Sequence, residues 1–187
     1  MTTSNPDNRT RLIQAAAKMA YLRGFRQTTL ADIAKDAKLP LGNVYYYFKT
    51  KDEIGHGIIE QRLEQLRASC QSWDEAGSPK DRLCACIDTV LGNRDVLAQG
   101  GCPIGTLCTE LNKGSGRLAK KSSLLFVEHL KWIEAQFRAC GQTKNARCLA
   151  VHLLSALQGI SVIAHGLNDP KVVVAEAVSL KKWINSL

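Results

Sequence analysis

No uninterrupted run of eighteen apolar residues occurs in the 187-residue chain, so neither a signal peptide nor a membrane span is expected and the cytoplasm is the expected compartment. The polar stretch from Met1 to Asp7, followed at once by arginines, agrees with that reading. Cys-x-x-Cys pairs and histidine pairs at helical spacing are missing, and Cys84-x-Cys86 sends its thiols to different faces of a helix, so no metal is expected. The chain lacks a phosphate-cradling glycine loop and a nucleophile paired with a base, which gives an enzyme no starting point and a cofactor no site. Internal repeats and low-complexity tracts are also lacking. Seven cysteines is an odd count, spread irregularly, and a reducing compartment would keep them from forming a disulfide framework.

What is present is an ordinary soluble composition, 45% hydrophobic and 22% charged. Acidic residues are the scarcer sign, 17 against 25 Lys and Arg, giving a net charge of +8 that favours a polyanionic partner. Residues 1–57 hold nine cations (Arg9, Arg11, Lys18, Arg23, Arg26, Lys35, Lys38, Lys49, Lys51) against five anions (Asp7, Asp32, Asp36, Asp52, Glu53). That difference of four is half of the total excess, in under a third of the chain.

Apolar positions recur at helical spacing throughout and no strand signal competes with them, so the fold class is all-α. Leu12, Ala16, Met19 and Leu22 mark a first helix over 9–23, closed by Gly24 in a left-handed conformation. Thr29 to Asp32 reads as a capping box opening a short helix over 30–37. After a tight break at Lys38-Leu39, Pro40 opens a third helix reaching Tyr47, and Thr50 to Glu53 caps a longer fourth. Further helices are expected at 79–94, with Ser78 as cap, and at 103–112, 116–139, 144–166 and 171–185. The whole is about nine helices: an N-terminal three-helix helix-turn-helix head over 1–51, and a C-terminal helical ligand-sensing and dimerisation bundle over 52–187.

Two short helices joined by a tight turn can place the second in the major groove of DNA, which admits one α-helix. The third helix suits that task. Leu41, Gly42, Asn43, Tyr45 and Tyr46 are small, polar or hydroxyl-tipped, and a purely structural helix would seldom carry three tyrosines in a row. The pattern Gly24-Phe25-x-x-Thr28-Thr29-x-x-x-Ile33-Ala34-x-x-Ala37, then Gly42-Asn43-Val44-Tyr45-Tyr46-Tyr47-Phe48-Lys49-Thr50-Lys51-Asp52-Glu53, resembles the reading head of TetR-family repressors.

That resemblance implies a homodimer on a palindromic double-stranded DNA operator, in the cytoplasm and nucleoid-associated when bound. Repression would be relieved when a small-molecule effector binds the C-terminal region or when that region is chemically modified. It further implies that Thr28 and Thr29 meet phosphate, that Gly42, Asn43, Tyr45 and Tyr46 approach bases and backbone, and that Tyr47 and Lys51 clamp phosphates, while Ile33, Ala34, Val44 and Phe48 are core. The turn departs from the family pattern: Ala37-Lys38-Leu39-Pro40 replaces a small glycine, so Lys38 needs a left-handed backbone and adds a phosphate contact.

In the C-terminal part the resemblance rests on helix count and length. The helices around Leu149 to Ile163 and Val173 to Ile184 would pair with their copies as a four-helix bundle, holding two heads about 34–36 Å apart. Leu153, Leu157, Ile160, Val173, Ala177 and Leu180 are the expected dimer residues. Cys102 precedes Pro103 in a first-turn position, where the helix dipole stabilises a thiolate. Cys108 follows six residues later, about 9 Å along a regular helix, too far for a direct disulfide. Both are candidate sensor cysteines, and the Gly-Cys-Pro stretch resembles family members that respond to electrophiles, oxidants or flavonoid-like aromatics. Trp73, Phe126, His129, Trp132 and His152 are the expected ligand-pocket residues. Two other classes stay open: a cysteine-based peroxidase using Cys102 with Cys108, marked by turnover, and a non-specific architectural DNA-binding protein, marked by weak sequence preference.

Overall fold

The computed structural model of the chain describes residues 7–114 and 116–187, and every regular element among them is a helix. Ten follow in order: α1 (Asn8–Arg23), α2 (Leu30–Ala37), α3 (Leu41–Tyr47), α4 (Lys51–Asp74), α5 (Pro79–Gly92), α6 (Arg94–Gly100), α7 (Pro103–Leu111), α8 (Arg117–Ala139), α9 (Ala146–Leu167) and α10 (Lys171–Ser186). The unexpected element is α6. Asn93 ends α5 by donating its side-chain amide to the Thr89 carbonyl at 2.7 Å, and its own carbonyl then accepts from Leu97 to start another turn. Gly92 stands at the break, but the helical pattern resumes within one residue, at Arg94.

Helix starts follow the capping chemistry. Asp7 accepts from the Thr10 amide, and Thr29 and Ser78 each form a complete capping box, with Asp32 and Asp81 as the returning carboxylates. At α4 the Thr50 hydroxyl accepts from the Glu53 amide, but the Glu53 carboxylate reaches the amide of Lys49, one residue further back than expected.

The described residues form two compact units, one made of residues up to Leu63 with Thr106–Leu124, the other of Glu64–Gly105 with Leu125–Leu187. In the first, α1 packs on α2 and α2 on α3 around Leu12, Ile33, Val44 and Phe48, each at most 2% exposed. Gly55 on α4 marks a close approach: a Cβ there would stand 2.8 Å from Leu118 and 2.9 Å from Phe25. In the second unit α10 packs on α5 and α9, and α6 on α9, around Leu83, Ile87, Ile133, Phe137, Leu153 and Ile184.

α9 is long and apolar enough, by length and composition, to cross a membrane, with a mean hydropathy of 1.6 over its best 18-residue window. Counting uninterrupted apolar runs passed over it, because His152, Ser155 and Gln158 interrupt the run without lowering the mean far.

The expected dimer residues need correcting. Leu153, Leu157, Ile160, Val173, Ala177 and Leu180 are all buried in the core of their own protomer, at most 7% exposed. The apolar residues that α9 and α10 leave outside are Val151, Val162, Ile163, Leu167, Val174 and Val178, between 41% and 70% exposed. Apolar residues occupy both faces of these helices, and the pattern alone assigned the wrong face to the outside.

Candidate nucleic-acid interface

The reading head is built from the inside outward. Ile33 and Ala34 on α2, and Val44 and Phe48 around α3, take the buried positions, which turns the opposite faces of the pair to solvent. The connection is tight because Lys38 adopts the left-handed conformation (φ 55°, ψ 45°), with its amide bonded to Lys35 and the Leu39 amide to Ala34. α3 then starts at Leu41 behind Pro40, without a side-chain cap. Its outward face carries Leu41, Gly42, Tyr45 and Tyr46, the last 74% exposed, with Asn43 half-buried. Tyr46 meets Tyr47 edge to face, ring centroids 4.9 Å apart, which limits the freedom of both rings. No atom lies within 4 Å of where a Gly42 Cβ would stand, so packing within the chain does not call for a glycine there.

Polar groups around the pair are individually committed. Thr29 is exposed at the α2 N-terminus, and its hydroxyl and amide hold the Asp32 carboxyl below the usual carboxylate range. Thr28 is not a phosphate ligand through its side chain: it is 2% exposed and its hydroxyl donates to the Gly24 carbonyl at 2.8 Å. Adjacent threonines in a turn point to opposite sides, a distinction the pattern did not carry. Lys51, in the first turn of α4, donates to the Arg26 carbonyl at 2.7 Å and lies 5.1 Å from the Phe25 ring centroid, so its ammonium is held beside that helix N-terminus. Two cations of the basic segment are structural: Arg11 donates to the Ala37 carbonyl at 2.8 Å, and Lys18 pairs with Asp36 at 2.6 Å.

The head so built has a counterpart among known proteins. The model for bacterial regulatory proteins of the tetR family matches residues 12–56, the span from α1 through α3 into α4. The family likeness thus lies in the head. It is similar to the transcriptional repressor KstR2 of Mycolicibacterium smegmatis, 36% identical over 84 residues, covering 44% of this chain and 41% of that protein. It spans 34% to 53% of the length of this and other curated relatives, NemR of Escherichia coli and TtgR of Pseudomonas putida. A TetR transcriptional regulator from Legionella pneumophila has the same fold, with a TM-score of 0.85 at 16% identity, over 100% of this chain and 98% of the other. The reduced form of Escherichia coli NemR gives 0.80 at 19% identity, over 95% and 97%.

Outside its head the chain places the sensor candidates unequally. Cys102 is half-buried at the α7 N-terminus, its sulfur accepting from the Gly105 amide at 3.3 Å as a side-chain cap would. Cys108 is buried and donates to the Ser122 carbonyl at 3.1 Å, so reagents do not reach it as they do an exposed thiol. Trp73, His129 and Trp132 come together: Trp73 stacks on His129 with centroids 5.7 Å apart and lies 4.9 Å from Trp132. Burial lowers the His129 pKa to about 4, which keeps the ring neutral, and its Nε2 lies 3.6 Å from the Cys86 sulfur, whose thiol burial holds protonated. Phe126 packs at the edge of the same core. His152 does not join them; it is exposed and edge-on to Trp183 at 4.8 Å.

Two residues escaped the sequence reading. Gln136 is 7% exposed and its Oε1 finds no hydrogen-bond partner, while its Nε2 donates to Asp74. Glu110 accepts from the amides of Phe25 and Arg26, both at 2.7 Å. An acid 85 residues away from its partner in sequence carries no local signal of the pairing.

Proposed function

We propose that the chain is a homodimeric transcriptional repressor that binds a palindromic operator through α3 and is released by an effector acting on the C-terminal region. The observation that carries this is the outward face of α3, where Leu41, Gly42, Tyr45 and Tyr46 stand exposed on a helix that buries Val44 on its other face. Such a face fits the major groove, while Thr29, Lys38, Tyr47 and Lys51 are arranged to meet phosphates. The division of labour follows the sequence reading, residues 1–51 binding DNA and residues 52–187 sensing and dimerising. The exposed valines and Ile163 of α9 and α10 supply the dimer contact, which also covers the apolar side of α9 without any membrane. The chain then works in the cytoplasm, on the nucleoid when bound.

Two release routes are distinguished by residue. In the first, the Cys102 thiolate adds to an electrophilic alkene: a sulfur–carbon bond forms, the alkene π bond breaks, and the thiol proton ends on the adjacent carbon. The half-exposed sulfur at a helix N-terminus supports it, and a relative of the same fold is described as a reduced form. In the second, a reversible ligand enters beside Trp73, His129 and Trp132, with the unpaired Gln136 Oε1 as acceptor.

The test is selection from random duplexes. The wild-type chain is expected to enrich one palindrome, and Tyr46→Phe and Lys51→Ala to weaken it roughly tenfold, about 1.4 kcal/mol each. Enrichment with both variants at wild-type affinity would remove the assigned contacts; binding of all duplexes alike would favour an architectural protein.

A further inference from the structure

At the α1–α2 turn the backbone groups of Gly24, Phe25 and Arg26 are all engaged. The Gly24 amide donates to Ala20 and its carbonyl accepts the Thr28 hydroxyl; the Phe25 carbonyl accepts the Thr28 amide; the Arg26 carbonyl accepts Lys51. The amides of Phe25 and Arg26 go to the two carboxylate oxygens of Glu110, one each, at 2.7 Å. These are charge-assisted bonds in bidentate form, about twice as strong as neutral ones. Gly24, at φ 89°, lets the carboxylate in: a Cβ there would stand 3.3 Å from Glu110 Oε2. The grip falls three residues before Thr29, the cap that begins the helix pair of the reading head. Glu110 is near the end of α7, the same helix that carries Cys102 at its start. A cleft of about 280 Å³ lined by Phe25, Arg26, Lys51, Leu111 and Leu118 opens beside the turn, so a turn released from Glu110 has room to shift.

We propose that Glu110 is a positioning residue for operator reading: its carboxylate ties α7 to the α1–α2 turn and so fixes the pose in which α2 and α3 meet DNA. This inference rests on the DNA-binding reading above. It concerns sequence-specific binding, which needs that pose, and not the salt-dependent attraction to phosphates, which needs only charge.

The sign of the effect separates this role from simple electrostatics. Glu110→Gln removes a negative charge near a DNA-binding surface, so charge alone would strengthen binding to any duplex. Gln keeps the size of the side chain but replaces one acceptor oxygen by an NH2 group that faces a backbone amide, so the grip is lost. The experiment measures wild type, Glu110→Gln and Glu110→Asp against two probes, the duplex enriched by the wild-type chain and a random-sequence duplex of equal length, together with amide exchange at Phe25 and Arg26. Expected are at least a tenfold loss on the enriched duplex for Glu110→Gln, little change or a gain on the random duplex, faster exchange at both amides, and partial recovery in Glu110→Asp, which keeps both acceptors. Wild-type affinity of Glu110→Gln for the enriched duplex overturns the proposal, as does an equal loss on both duplexes, which marks general damage to the fold. If Glu110→Gln does not fold, Glu110→Ala, which also removes the carboxylate, decides by the same criterion. A wild-type chain that enriches no duplex overturns the DNA reading and this inference with it.

Discussion

Lys38 holds a left-handed backbone at φ 55° in the turn between α2 and α3, a conformation that a side chain with a Cβ adopts at about 1 kcal/mol relative to glycine. Lys38→Gly is therefore expected to raise stability by about that amount, seen as a higher urea midpoint, while weakening DNA binding through loss of one cation; an unchanged or lower midpoint would show that the turn is not strained. His129 makes a pH-dependent contribution of the opposite kind. Burial lowers its pKa from 6.5 to about 4, so between those values the unfolded chain takes up a proton that the folded chain refuses. Stability conferred by the neutral ring is complete above the unfolded value, falls as pH drops from 6.5 towards about 4, and levels off below. The loss is on the order of 3 kcal/mol. Denaturation of wild type and His129→Gln across that window checks it, the difference between the two curves isolating the histidine from the carboxylates. Parallel curves would mean that His129 is not held neutral by burial.

At the scale of elements, α9 and α10 each have one face in the core and a second apolar face outside, a pattern that water does not favour and a second copy would cover. Val162 is 70% exposed, so Val162→Glu is expected to leave the protomer folded and helical but monomeric by light scattering. Leu157→Ala, on the buried face of the same helix, is expected to cost about 2–5 kcal/mol of stability. A Val162→Glu chain that remains dimeric would move the interface elsewhere. Partition of the wild-type chain into liposomes would assign that face to lipid.

At the scale of the whole molecule, the reading head and the sensor candidates lie far apart in sequence, and the chain passes between its two compact units within α4, α7 and α8. Effector control needs a coupling of only about 2–3 kcal/mol, which weakens DNA binding roughly 30- to 150-fold. Treatment with N-ethylmaleimide is expected to release wild type from its enriched duplex in that range and to spare Cys102→Ser. Cys108 is buried and bonded to Ser122, so Cys108→Ser should behave as wild type towards the reagent. Unchanged binding after complete modification of Cys102 would leave the reversible-ligand route.

What the sequence determined by itself was whatever depends on residues near one another in the chain. Capping boxes at Thr29 and Ser78, the left-handed turn at Lys38, the buried positions Ile33, Val44 and Phe48 and the exposed Tyr45 and Tyr46 all follow from local spacing, because helix period and capping are set within a few residues. α6 was missed although Gly92 stands at the break, because the Asn93 carbonyl restarts the helix at once by accepting from Leu97. Thr28 and Thr29 look alike in a string of letters, and only the packed turn sends one hydroxyl inward and leaves the other at the α2 cap. Which apolar face of α9 is core, which of the aromatic residues Trp73, Trp132 and Trp183 meets which histidine, and that Glu110 grips the Phe25 and Arg26 amides were decided by tertiary structure alone. Those contacts join residues separated by tens of positions, and an apolar or acidic side chain carries no mark of the partner that packing will bring to it.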